Sequence, residues 1–221
     1  MGLDLRKIKI ELVGKIRRLT SELTLRDDQK QILRDLFSSD EARQMNAAMA
    51  IGKSSDIRLL CMMQFYLHDD FLDEFLAHVG GKEMRYEIAQ KKMIKFYSLV
   101  AASSMLSNDP FYRGVMGVIQ SGAEPAEERC DLIYMLGLVF ESFGQEIHSR
   151  DAAFVSDKVG GLFVGTLLGI LESASEADEI KVASAMALRK TIQNPSISTA
   201  FTPQLTQQVF GKLKEYSEVL Q

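Results

Sequence analysis

The stretch EIKVASAMALRKTIQNPSISTAFTPQLTQQVFGKLKEYSEVL, residues 179–220, decides the fold class. Its first half is rich in Ala, Leu, Met and Lys, residues that lose little on entering a helix. Asn194-Pro195 then closes that helix, because proline brings no N–H and restricts the residue before it. Thr202-Pro203 opens the next one: the threonine is a cap, and the proline takes the first helical position, where a missing N–H costs nothing. The second helix is apolar and carries Leu205, Val209, Phe210 and Leu213. The stretch is therefore a helix, a turn and a helix.

Working outward, the same punctuation recurs. Asp109-Pro110 and Glu124-Pro125 mark helix starts as Thr202-Pro203 does, so three of the four prolines begin helices and Pro195 ends one. Ser38 with Glu41 has the spacing of a capping box and predicts a helix running to Gly52. Leu60, Gln64, Leu67, Phe71 and Phe75 fall within one narrow arc, predicting a helix from Ser55 to about Val79, broken by Gly80-Gly81. Further helices are predicted over about 27–37, 82–106, 111–120, 126–148, 153–172, 176–193 and 203–219. No stretch alternates with period two for long enough to be a strand. The chain is expected to be all-α with about ten helices.

Residues 1–24 form a separate unit in this expectation. Leu5, Ile8, Leu12, Ile16, Leu19 and Leu23 recur at steps of three and four, the stripe of an amphipathic helix, and its other face is basic. Arg6, Lys9 and Arg17 on that face are candidate partner contacts. Residues 25–221 are expected to form one helical domain, since 221 residues, 46% hydrophobic and 25% charged, suit a single soluble core.

Charge excludes some partners. The net charge is −4, and residues 111–221 are more acidic than residues 1–110. No segment is basic enough to advertise nucleic-acid binding, so the expected partner is another protein, with homo- and hetero-oligomers both open. Lys91, Lys92 and Lys95 form a second local basic patch and a second candidate contact. The longest uncharged run, Val159 to Leu171, is shorter than the ~20 apolar residues a membrane-spanning helix needs. Cys61 and Cys130 lie in apolar segments without metal-site spacing, so they read as buried thiols of a reducing, cytoplasmic compartment.

The segments AAMAIGKSSDIRLLCMM (47–63) and ASAMALRKTIQNPSIST (183–199) share a small-residue helix, a short turn and an onward apolar run, and Cys130 to Phe143 repeats the pattern more weakly. On these residues, and on 179–220 above all, the chain resembles a HEAT or armadillo helical repeat. The resemblance implies a short right-handed stack of antiparallel helix pairs, an α-solenoid, with no catalytic residues, no cofactor and a scaffold's role in binding other proteins. An irregular helical bundle is the alternative architecture.

Three motifs bear on chemistry. Asp69-Asp70-Phe71-Leu72-Asp73 resembles the DDxxD motif of isoprenoid-chain synthases, which implies magnesium ions on Asp69, Asp70 and Asp73 neutralising a diphosphate; hard carboxylate oxygens suit that ion. The other reading of these residues is a solvated acidic face opposite the arc through Leu67 and Phe71. His68, His78 and His148 show no metal-ligand spacing. Gly161, Gly165 and Gly169 recur every fourth residue, leaving one helix edge bare. Glycine inside a helix costs about 1 kcal/mol relative to alanine, so close packing against a neighbouring helix is expected there.

Overall fold

A computed structural model describes residues 26–67, 88–142 and 154–217, and among them every regular element is a helix. The order is α1 (Asp27–Leu36), α2 (Glu41–Gly52), α3 (Ile57–Leu67), α4 (Ile88–Ser107), α5 (Asp109–Gln120), α6 (Ala126–Ser142), a π-helix (Phe154–Val164), α7 (Gly165–Glu172), α8 (Asp178–Gln193), the single turn α9 (Pro195–Ser198) and α10 (Pro203–Glu215). The basic segment 1–24 lies outside the described residues, as do Asp69, Asp70, Asp73 and the three histidines.

Caps explain the boundaries, and in three places they differ from the sequence expectation. The cap of α2 is Asp40 rather than Ser38: its carboxylate accepts from the N–H groups of Ala42 and Arg43, while the Ser38 hydroxyl accepts from Asp40 N–H one step earlier. A carboxylate at a helix start also meets the positive end of the dipole. Asn108, not Asp109, caps α5, accepting from Phe111 N–H and moving Pro110 one residue into the helix. Asn194 ends α8 and caps α9 through Ser196 N–H, so Pro195 starts a helix as well as following one. Thr202 caps α10 through Leu205 N–H, as the sequence predicts.

The run expected as one helix over 153–172 changes character partway. Its first eleven residues form a π-helix and only Gly165–Glu172 is α. The Lys158 carbonyl takes a 2.8 Å hydrogen bond from the Tyr112 hydroxyl. A donor from outside the helix is one way the regular ladder is opened.

At the centre is α6, whose Leu132, Ile133, Met135, Leu136, Val139 and Phe140 are all buried. A helix apolar on all sides belongs inside. Its broadest interface is with α8. Contacts along the two helices advance together: Gly137 meets Ala187, the Glu141 carboxylate accepts from Lys190, and the Phe140 carbonyl accepts from Asn194 Nδ2. The helices are consequently parallel. The same logic makes α5 parallel to the π-helix and α7, through Tyr112 with Lys158 and Gln120 with Thr166. It also makes α2 parallel to α4, through Glu41 with Tyr97 and Gly52 with Ser104. Phe140 and Phe163 stack with ring centroids 5.1 Å apart, joining α6 to the π-helix.

Candidate functional site

Close approach of helices does occur, but away from the glycine stripe. A Cβ added at Gly137 would stand 2.9 Å from the Ala187 backbone, and one at Gly52 would stand 2.6 Å from the Ser104 hydroxyl. At Gly165 and Gly169, in contrast, nothing lies within 4 Å of the added Cβ, and both glycines are exposed. The expected packing of a neighbouring helix on Gly165 and Gly169 is therefore not made within the described chain. They face the opposite way, because Leu167, Leu168, Ile170 and Leu171 occupy the inward side of α7.

Gly161, Gly165 and Gly169 instead form the floor of an open groove of about 470 Å³, with Leu162 and Ile170 beside them. Its polar wall is fixed from within. Gln120 Nε2 donates to Thr166 Oγ1 at 2.8 Å. The Arg129 guanidinium, with only 4% of its side chain exposed, donates to both carboxylate oxygens of Glu176 and to the Ile119 carbonyl. The guanidinium beside Glu176 holds that carboxyl below its usual value.

A second groove, about 570 Å³, lies between α8 and α10. Its origin is the face α10 turns to the core. Leu205, Val209 and Leu213 repeat every fourth residue; Val209 is fully buried and the other two are half-buried. Phe210 is one position round the helix from Val209, about 100° away on a helix of ~3.6 residues per turn. It is 59% exposed, the most exposed large hydrophobic side chain among the described residues. Ile192 and Leu213 complete an apolar floor with it, and Arg189, Gln193, Lys214 and Ser217 form the rim.

The basic patch on α4 is divided by the fold. Lys92 is exposed, whereas Lys91 and Lys95 are half-buried, flanking Ile94, which is fully buried. Arg6, Lys9 and Arg17 lie outside the described residues. Cys61 and Cys130 are free thiols and half-buried rather than buried. Among the described residues no group of three or more His, Cys, Asp or Glu side chains is placed to hold a metal ion, and no helix is long and apolar enough to cross a membrane. The Phe210 groove carries no signal in a motif search. What betrays it in the sequence is a phenylalanine one step off an i, i+4 stripe, a signal visible only once the stripe's true phase is known.

No protein-family model, no curated protein and no solved structure matches the chain.

Proposed function

We propose that the chain is a non-enzymatic interaction scaffold that binds a segment of another protein. The observation that carries this reading is the exposed Phe210 at the centre of an apolar groove between α8 and α10. A large aromatic left in water on a formed groove is the composition of a recognition surface, where aromatic anchors supply most of the affinity.

The helix arrangement supports the scaffold architecture. The pair α5 and α6 is followed by the pair made of the π-helix with α7 and α8, and corresponding helices lie parallel. The first helices are joined by contacts 46 residues apart and the second helices by contacts 47 to 54 residues apart. Helix pairs repeating at a near-constant interval are the basis of a short stack of the HEAT or armadillo kind, in which each unit touches its neighbours and leaves a surface for binding. The two free thiols fit a reducing, cytoplasmic setting.

Affinity capture of the full chain from its native source, with identification of what is retained, tests the reading. A protein partner held in near-stoichiometric amount is the expected result. A magnesium-dependent rise in melting temperature that disappears in the Asp69→Ala, Asp73→Ala variant would overturn it in favour of a metal-dependent enzyme.

A further inference from the structure

We infer that the groove between α8 and α10 receives an acidic partner segment: a short stretch in which a large apolar side chain is bracketed by carboxylates. The inference rests on the scaffold reading for the existence of a partner, and adds the partner's chemistry.

The floor and the rim of the groove make different demands. Phe210, Ile192 and Leu213 offer an apolar floor that gains only from another apolar group, because burying a polar one there leaves it without a hydrogen-bond partner. The rim holds Arg189 and Lys214 and, among the described residues, no carboxylate. The acids nearest in sequence are already matched: Glu215 pairs with Lys212 at 3.2 Å, and Glu141 with Lys190 at 2.7 Å. In a chain of net charge −4, an apolar groove whose only charged lining groups are cations is a local reversal of sign. Charge of this sign attracts an acidic segment and repels a basic one, which sets the choice of partner and the speed of encounter. The remaining lining groups, Gln193 and Ser217, are neutral and can donate to or accept from a peptide backbone.

The groove's volume, about 570 Å³, is that of a site for one or two side chains with their backbone and not for a whole domain face. A continuous amphipathic segment suits it, the mode in which a few apolar anchors enter a groove and flanking charges fix the direction.

The test uses the full chain and a random twelve-residue peptide library displayed on phage, with Phe210→Asp as the counter-selection. Enriched peptides are expected to contain a Leu, Ile, Phe or Met anchor and to be net negative. As synthetic fluorescent peptides they should bind at least tenfold more weakly to Phe210→Asp and to Arg189→Glu, Lys214→Glu, and more weakly at high salt. Replacing their acids by lysine should restore binding to the charge-reversed variant alone. Phe210 is exposed, so its variant keeps the wild-type circular dichroism and melting temperature. Should it fail to fold, the charge-reversed protein provides the same discrimination.

Enriched peptides that are neutral or basic, peptides bound equally by wild type and Phe210→Asp, or no enrichment over the counter-selection would each overturn the inference. So would a concentration-dependent dimer in sedimentation that Phe210→Asp abolishes, since the groove would then belong to a second copy. Failure of the scaffold reading is seen separately, in the capture from the native source, and does not depend on the peptide result.

Discussion

The guanidinium of Arg129 and the carboxylate of Glu176 meet as a fork, with bonds of 2.9 and 2.6 Å across 47 residues of chain. The pair pins the start of α8 to the first turns of α6, the most extensively packed pair of helices described. With Arg129 almost fully buried and its Nε also bonded to the Ile119 carbonyl, three elements depend on one side chain. Removing one partner of such a pair strands a buried charge, so Glu176→Gln should lower stability by about 3 kcal/mol. The double variant Arg129→Met, Glu176→Leu should lose less than the single one, because no charge is left buried. Urea denaturation of the three proteins measures both statements.

Acid should act through the same site. Hydrogen bonding to Arg129 holds the Glu176 carboxyl below its model value of 4.5, and bonding to Arg58 holds Asp56 below 3.8. A carboxylate whose folded value is depressed stabilises the fold at every pH above its unfolded value. That contribution is lost as pH falls through the folded value. Stability should therefore decline from about pH 5 downward, and the decline should be shallower in Glu176→Gln. Melting temperature followed from pH 7 to pH 3 decides it.

The two classes of glycine predict substitutions of opposite sign. Gly137→Ala places a methyl 2.9 Å from the Ala187 backbone, so α6 and α8 must move apart. Overpacking of this kind costs about 1–3 kcal/mol. Gly169→Ala meets nothing within 4 Å and removes a helix penalty, so it should add up to about 1 kcal/mol. Thermal melts of the two variants, side by side, should shift in opposite directions.

Asn194 does two jobs with one amide. Its Oδ1 accepts from Ser196 N–H to start α9, and its Nδ2 donates 2.8 Å to the Phe140 carbonyl, in a site where only 1% of the residue is exposed. Asn194→Ala loses both bonds and should cost about 2 kcal/mol. Asn194→Asp keeps the acceptor but turns an oxygen towards the Phe140 carbonyl, and should be no better than alanine. Equilibrium unfolding of both variants tests whether the donor or the cap dominates.

The sequence by itself determined that the described chain is helical, and nearly where each helix lies. Thr202-Pro203, Asn194-Pro195 and the Ala-rich run 183–187 act through the backbone of their own few residues, so nothing distant is needed to read them. It missed by one or two residues at Asp40 and Asn108, because several neighbouring residues there could all accept the same N–H bonds and local spacing does not choose among them. The glycine stripe shows the opposite limit. Spacing placed Gly165 and Gly169 on one edge, but only the tertiary structure decided that this edge faces out while Gly137 and Gly52 carry the close contacts. The same holds for Phe210, which shares its helix with Leu205, Val209 and Leu213 and differs from them by one position. Its exposure depends on which side of α10 the buried surface of α8 and the π-helix comes to occupy. Partners such as Arg129 with Glu176 likewise stand 47 residues apart and owe their meeting to the parallel packing of α6 and α8, a relationship that no local pattern encodes.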